Sequence, residues 1–300
     1  MPLPISLGEH EISWRRPWIL GVLNVTDDSF SDGGSWVTHE RALARAIEMI
    51  EQGADWVDVG GESTRPGAAP VSESVELERV IPLVESLAKR GVVVSVDTTK
   101  QAVASAAFEV GALVLNDVGM GDAIESLGPI VARHGGAYLR MHARGTPRTM
   151  RTEAGLVRYD RGVMSEVVAS LAADAERICA CGVKKQNILL DPGLGFAKTA
   201  AQSLAVLASL ERLVALGYPV CVGPSRKSFI DAASAYDASW GELTPDVSAR
   251  LGGTAAAVAL SVAKGANVLR VHDVSVMRQA ARVADGVASM SQIAGRDACD

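Results

Sequence analysis

Eight short apolar runs recur along the 300-residue chain, and none shows the polar alternation of a half-exposed strand. They are Trp18 to Leu23, Trp56 to Val59, Val92 to Val96, Leu113 to Leu115, Ala137 to Met141, Ile188 to Leu190, Pro219 to Val222 and Val268 to Val271. Amphipathic stretches lie between them. Leu77, Val80, Ile81, Val84 and Leu87 share one helical face, as do Ala42, Ala46, Ile47 and Ile50. Gly53, Gly91, Gly111, Gly182, Gly217 and Gly265 each fall between such a stretch and the next run, where a left-handed residue closes a helix. A βα unit repeated eight times predicts an α/β fold, a (β/α)8 TIM barrel. The alternative, an open doubly wound sheet, carries a glycine-rich phosphate fingerprint after its first strand. Here that strand is followed by Asn24-Val25-Thr26-Asp27-Asp28-Ser29-Phe30, which is not one.

The length fits two average domains, or one barrel of about 250 residues with extensions. No linker rich in proline or charge divides the chain. A single barrel domain is therefore expected over residues 17–290, with an N-terminal extension at 1–16 and a tail at 291–300. Neither end carries a functional signal.

Charge and composition exclude several functions. The formal net charge is −6 and aromatic residues are 4%, so neither a basic groove nor rows of stacked bases are expected, and nucleic acid is not a partner. No apolar run reaches the roughly 18 residues of a membrane span. The longest, Gly252 to Ala263, stops at Lys264 and reads as a buried helix. Met1 to His10 lacks the cationic start of a secretory signal. Four cysteines are too few for a disulfide scaffold, and Cys179 and Cys181 have no second ligand pair for zinc. A cytoplasmic protein is the expectation.

In a barrel of this kind the active site lies at the C-terminal ends of the strands. The residues that follow the eight runs are Asn24, Glu62 with Thr64 and Arg65, Asp97, Asn116 with Asp117, His142, Asp191, Ser225-Arg226-Lys227-Ser228, and Arg270 with His272. Two chemistries are represented. Arg65, Lys227, Arg270 and His272 are cationic donors, with Arg226 nearby, and predict an anionic substrate. Asp97, Asn116 and Asp191 suit a flat heterocycle with an amino-pyrimidine edge, with Lys227 donating to a ring oxygen. Simpler readings stand beside these. Asp97 or Asp117 could be a helix cap, and Asp191 with Lys227 a buried salt bridge. The segments Thr26 to Gly34 and Gly60 to Val71 read as mobile loops able to close over the rim.

Eight blocks also resemble the dihydropteroate synthase family, in the family order. They are Gly21-Val-Leu-Asn24-Val-Thr with Asp28-Ser-Phe-Ser-Asp32-Gly-Gly34; Asp58-Val-Gly-Gly-Glu62-Ser-Thr64-Arg65-Pro66-Gly67; Ser95-Val-Asp97-Thr; Asn116-Asp117-Val; Met141-His142; Leu190-Asp191-Pro-Gly-Leu-Gly-Phe196; Ser225-Arg226-Lys227-Ser228; and Arg270-Val-His272-Asp273-Val. The resemblance covers residues 17 to 290. It implies a barrel, usually dimeric, that condenses p-aminobenzoate with a 6-hydroxymethyl-dihydropterin diphosphate in folate synthesis. Mg²⁺ is required, and sulfonamides target the step.

The resemblance further implies that Asp97, Asn116, Asp191 and Lys227 hold the pterin, with Asp97, Asp191, Lys227 and Arg65 as the catalytic set. Arg270 and His272 would hold the diphosphate, Asn24 would stand beside Mg²⁺, and Asp32 would act on the metal through water. Thr64 would lie near the substrate. Phe196, Pro66 and Ser228 would line the aminobenzoate site, with Ser228 at a helix N-terminus that receives the carboxylate. Three positions depart from the family pattern: Asp27 where many relatives have proline, Gly119-Met120-Gly121 near Asn116, and Ala197 where glycine is common. Two rivals share the pterin pocket, a non-catalytic paralogue and a pterin-dependent methyltransferase barrel. Asn24, Thr64 and Arg65 argue against the first, and the Ser63-Thr64-Arg65-Pro66 loop with the Arg270/His272 pair against the second.

Overall fold

The computed structural model describes residues 2–25, 35–63, 69–119, 122–145, 149, 158–232 and 250–297. The two loop segments at 26–34 and 64–68, and with them Asp27, Asp32, Thr64, Arg65 and Pro66, lie outside the described residues.

The elements follow in the order β1 (Ile5–Leu7), β2 (His10–Ile12), β3 (Trp18–Asn24), α1 (Ser35–Glu51), β4 (Trp56–Gly60), α2 (Glu73–Ala88), β5 (Val93–Asp97), α3 (Gln101–Glu109), β6 (Val114–Asp117), α4 (Ile124–His134) and β7 (Ala137–Met141). The chain continues through α5 (Val163–Ala180), β8 (Ile188–Asp191), α6 (Ala200–Ala208), α7 (Glu211–Val214), β9 (Cys221–Val222), α8 (Arg250–Ala263), β10 (Val268–Val271) and α9 (Val274–Asp297). All eight apolar runs are strands. They form one parallel sheet in the order β8-β7-β6-β5-β4-β3-β10-β9. A parallel bridge between Leu190 and Val220 joins the two end strands and closes the barrel. The six glycines at the helix ends all have positive φ, from +73° at Gly91 to +110° at Gly111. At Gly111 a side chain is excluded twice over, because a Cβ would also come 2.7 Å from the Ala88 Cβ.

Register fixes what fills the barrel. Inward side chains come in layers of four from alternate strands. Stepping through the strand pairs with the barrel's stagger puts Trp56, Val114, Leu189 and Val268 in one layer, and Leu20, Ser95, Leu139 and Cys221 in the next. All eight are buried, and all but Ser95 belong to one apolar cluster. The outward faces of the strands pack against the helices in a second, larger core.

The N-terminal extension belongs to the inner cluster. Strands β1 and β2 pair as an antiparallel hairpin, and its Ile5, Leu7 and Ile12 are buried against the barrel interior with Trp14. The hairpin thus seals the end of the barrel opposite the polar rim. At the other end of the chain, α9 runs to Asp297 and packs beside α8. Helix α8 differs from the buried helix expected of its composition. Leu260 is 52% exposed, because α8 lies on the outer ring with one face turned away from the core. Among the described residues no helix is long and apolar enough to cross a membrane.

Leu7 tests the sealing role. Leu7→Ala should lower the unfolding free energy by about 2–5 kcal/mol, read by urea denaturation, since it opens a cavity under the inner cluster. A loss below about 0.5 kcal/mol would mark the hairpin as a surface ornament.

Candidate active site

The layer above the apolar ones is polar. Asp58 on β4, Asn116 on β6, Asp191 on β8 and Arg270 on β10 occupy the next set of inward positions on the same alternate strands. Asp97 and Gly223 belong to the layer above that, with Val22 and Met141. Asn24, Gly60, Asp97 and Asn116 also form a row of register partners across β3 to β6. A barrel mouth built this way brings side chains from far apart in sequence onto one floor.

Hydrogen bonds tie the floor together. Arg270 donates from Nε to Asp58 Oδ2 at 2.6 Å and from Nη2 to Asp97 Oδ2 at 2.8 Å. Asn116 donates from Nδ2 to Asp58 Oδ2 at 2.9 Å. Asp58 is fully buried and its Oδ1 has no partner among the described residues. Asp191 accepts the Gly193 N–H at 2.7 Å. Gly223 leaves the centre open: a Cβ there would lie 3.7 Å from the Arg270 Cβ and 3.9 Å from Asp191 Oδ2.

Burial sets the electrostatics. It pushes the Asp97 carboxyl up to about 8, with Arg270 opposing and Asp58 reinforcing the rise. Burial also raises Asp191, against the pull of Lys227. It lowers Lys227 to about 8, with Asp191 opposing and Arg270 adding to the drop. Arg270 loses solvation too, yet Asp58 and Asp97 hold its pKa above the usual arginine value.

Lys227 and Asp191 do not close into a direct ion pair. Lys227 Nζ donates to the Leu194 carbonyl and sits 4.3 Å from the Phe196 ring centroid. The salt-bridge reading of this pair therefore fails. So does the cap reading of Asp97: α3 starts at Gln101 behind Lys100, and Asp97 is spent on Arg270. Asp117 is not a cap either, because α4 starts at Ile124 behind Ala123, but its role is structural. It faces away from the mouth and accepts from Tyr138 Oη at 2.7 Å, from Arg140 Nη1 and from the Gly119 N–H.

Other rim residues sort themselves in the same way. Arg226, with φ +60°, turns its guanidinium to Asp273 in a two-pronged pair of 2.9 and 2.5 Å, and does not join the cations facing the mouth. Glu62 shares the Lys100 ammonium with buried Glu76. His272 Nδ1 lies 3.0 Å from Ser225 Oγ. Asn24 is half-buried at the end of β3, and Phe196 is half-buried above Lys227. Ser228 is exposed; the chain after it runs through a turn into a 3-10 turn at residues 231–232, beyond which it lies outside the described residues.

Three features escape a reading of strand ends. Asp58 lies inside the run Trp56-Val57-Asp58-Val59, and a charge within an otherwise apolar parallel strand is the signal for it. Gly223 is marked by an absence of side chain. Lys198 is buried against His142, its Nζ 2.8 Å from Nδ1. Burial lowers Lys198 to about 7, with Lys227 adding to the drop, and burial together with Lys198 drives His142 down to about 2. Among the described residues no three His, Cys, Asp or Glu side chains form a metal cluster.

Comparison with known proteins agrees with this geometry. A family model described as pterin binding enzyme matches residues 20–272. The dihydropteroate synthase of Synechocystis sp. is 39% identical over 290 residues, covering 95% of this chain and 96% of its own. The crystal structure of Yersinia pestis dihydropteroate synthase with a sulfonamide drug superposes with a TM-score of 0.83 at 36% identity, covering 96% of this chain and all of that one. The Xanthomonas albilineans dihydropteroate synthase with 4-aminobenzoic acid gives 0.82 at 37% identity, over 96% of this chain and 98% of that one.

The raised Asp97 carboxyl has a consequence for stability. Its folded pKa lies above the unfolded value near 4, so the folded chain holds the extra proton between about 4 and about 8. The contribution of Asp97 to stability therefore falls as pH rises through that window. Asp97→Asn should gain on the wild type between pH 5 and pH 8 by on the order of 3–4 kcal/mol, read by urea unfolding at each pH. A constant difference across that range would contradict the assignment.

Proposed function

The chain belongs to the dihydropteroate synthase family of pterin-binding enzymes, and on that premise we propose how its residues divide the reaction. As a transferase of folate synthesis it joins p-aminobenzoate to (7,8-dihydropterin-6-yl)methyl diphosphate, giving 7,8-dihydropteroate and pyrophosphate. One observation carries the pterin assignment: Asp97, Asn116 and Asp191, each 5% exposed or less, meet on the barrel floor beside Arg270. Their acceptors take the ring N–H and the amino group, and Lys227 donates to the ring oxygen. Arg270 spends Nε and Nη2 on Asp58 and Asp97, which leaves Nη1 for the diphosphate, with His272 further along the same strand end. Arg65 adds charge from its loop and Thr64 a hydroxyl. Phe196, Pro66 and Ser228 border the aminobenzoate, where sulfonamides compete.

Magnesium fits the residues present. An ion that bridges a diphosphate takes one or two protein oxygens and completes its shell with phosphate and water. The Asn24 carboxamide stands beside Gly60, where a Cβ would come 3.7 Å from Asn24 Oδ1. Asn24, with Asp32 acting through water, would hold Mg²⁺, which supplies neutralisation of charge on the departing pyrophosphate.

No protein nucleophile is needed. The C–O bond to the diphosphate breaks and its electron pair leaves with pyrophosphate. The dihydropterin ring delocalises the positive charge that develops on the exocyclic methylene carbon, and Asp97 and Asp191 stabilise that cation. The neutral amine of p-aminobenzoate then attacks the carbon and loses a proton. The test is pyrophosphate release by the purified enzyme, with and without p-aminobenzoate, Mg²⁺ and chelator. Dihydropteroate formation that requires both amine and metal is the expected result. Tight pterin binding without product would instead make the chain a binding paralogue, and pyrophosphate that leaves only when the amine is present would replace the stepwise order with a concerted one.

We further place the enzyme in the cytoplasm as a homodimer. The free thiols of Cys179, Cys181 and Cys221 suit a reducing compartment. Val276, Val283, Val287 and Met290 follow one another at intervals of seven, four and three residues as an exposed apolar stripe on α9, with Leu260 exposed on α8 beside it. Light scattering should give twice the chain mass, and Val283→Asp with Val287→Asp should give one. A wild-type monomer would remove the dimer.

A further inference from the structure

Lys198 is buried and lies outside the strands, and its ammonium is the centre of a small structure of its own. Nζ lies 2.8 Å from His142 Nδ1 and donates to the carbonyls of Gly193 at 3.0 Å, Phe196 at 3.2 Å and His142 at 3.3 Å. Two of these carbonyls belong to the segment Gly193 to Lys198, which the chain wraps around its own lysine. The third, with the imidazole, comes from the end of β7. Among the described residues no carboxylate comes within ion-pair distance of this ammonium; carbonyl oxygens surround it, and Asp191 supports its charge from farther away.

The wrapped segment needs such a centre. Gly193, Gly195 and Ala197 all have positive φ, at +66°, +77° and +46°. Ala197 holds that value despite its Cβ, a conformation that costs energy and persists only where surroundings impose it. Its carbonyl accepts from Tyr159 Oη at 3.1 Å. Gly193 packs so closely that a Cβ would come 2.0 Å from the His142 carbonyl oxygen. Carbonyls turned inward on an ammonium are what holds three left-handed residues in six positions. The outer side of the same segment faces the active site: Leu194 supplies the carbonyl that receives Lys227, and Phe196 supplies the ring beneath which Lys227 sits.

We propose that Lys198 is a positioning residue for the aminobenzoate side of the site, holding the Gly193–Lys198 segment and hence the Phe196 ring in place through His142 and the three carbonyls. The inference rests on the reading of Phe196 as a wall of that side. It assigns Lys198 no contact with substrate. Its ammonium is turned into the segment, and the residue acts on the reaction through the ring two positions before it.

Steady-state kinetics with both substrates, on Lys198→Met, Phe196→Ala and the double variant, test this. Lys198→Met should raise the KM for p-aminobenzoate by about tenfold and that for the pterin diphosphate by less than about threefold, with kcat the less affected parameter. In the Phe196→Ala background the same substitution should add little, since both changes act through one ring. Equal losses in the two backgrounds, or KM values raised alike for both substrates, would overturn the positioning role. If Lys198→Met does not fold, His142 reads the same link: His142→Leu should raise the aminobenzoate KM and His142→Asn, which keeps an acceptor near the Nδ1 position, should restore it. Failure of that restoration would count against the proposal. The two readings separate cleanly. An unchanged aminobenzoate KM in Phe196→Ala alone removes the wall reading and this role with it. A raised KM there, with none in Lys198→Met, removes the role of Lys198 only.

Discussion

Two carboxylates cannot be buried side by side in a barrel without a cation between them, and Arg270 is that cation. Its fork reaches Asp58 through Nε and Asp97 through Nη2, while Asn116 supplies a further donor to Asp58. Guanidinium suits the place because it stays charged under desolvation and offers donors at fixed angles to two acceptors on different strands. Removing it would leave two buried carboxylates facing each other, a loss of several kcal/mol in comparable buried pairs. The floor of the pocket is thus assembled before any substrate arrives. On the proposed roles, a pterin edge would meet acceptors whose positions the strands have already fixed, so little ordering cost would fall on binding.

That floor depends on what lies under it. Below the polar layer the interior is apolar, with Trp56, Val114, Leu189 and Val268, then Leu20, Leu139 and Cys221, and finally the β1–β2 hairpin. Water cannot reach the carboxylates from beneath, which is why burial dominates the shifts of Asp97, Asp191 and Lys227. Backbone strain collects on the same rim. Among the described residues only Ala197 and Arg226 take positive φ without being glycine, and they follow β8 and β9 at the active-site end. Each is held by specific partners: Tyr159 and the Lys198 cradle for the first, Asp273, Thr254 and Arg250 for the second.

The barrel was legible because its signal is repeated. Eight apolar runs and six helix-closing glycines all have to be accounted for, and only a closed parallel sheet uses them all. The hairpin was not legible, because two strands of three residues each are too short to show a period. At the site, position along the chain told which residues reach the rim but not where they turn. Asp117 and Asn116 are neighbours, and the pleat sends one to the helices and the other to the pocket. In the turn after β9, where Arg226 takes φ +60°, Arg226 goes to Asp273 and Lys227 to the Leu194 carbonyl. Asp58 was hidden inside an apolar run. The roles of Asp32, Thr64, Arg65 and Pro66 rest on resemblance alone, since they lie outside the described residues.

The division between strands and loops follows from what the reaction does to each half of its substrate. The pterin ring remains in the product, and the groups proposed to hold it have little freedom, on strand ends locked by register and by Arg270. The diphosphate must leave, and the p-aminobenzoate must reach the carbon it leaves. On the proposed roles, the groups for those steps are His272, just past the end of β10, and residues that follow β3, β4, β8 and β9 along the chain. Phe196 stands at the boundary between the two regimes. It is carried by a loop, yet that loop is closed around the Lys198 ammonium and touches the floor through Lys227. A wall of this kind can be firm without being part of the sheet, and that is what an aromatic amine needs if it is to meet a short-lived cation at one carbon and no other.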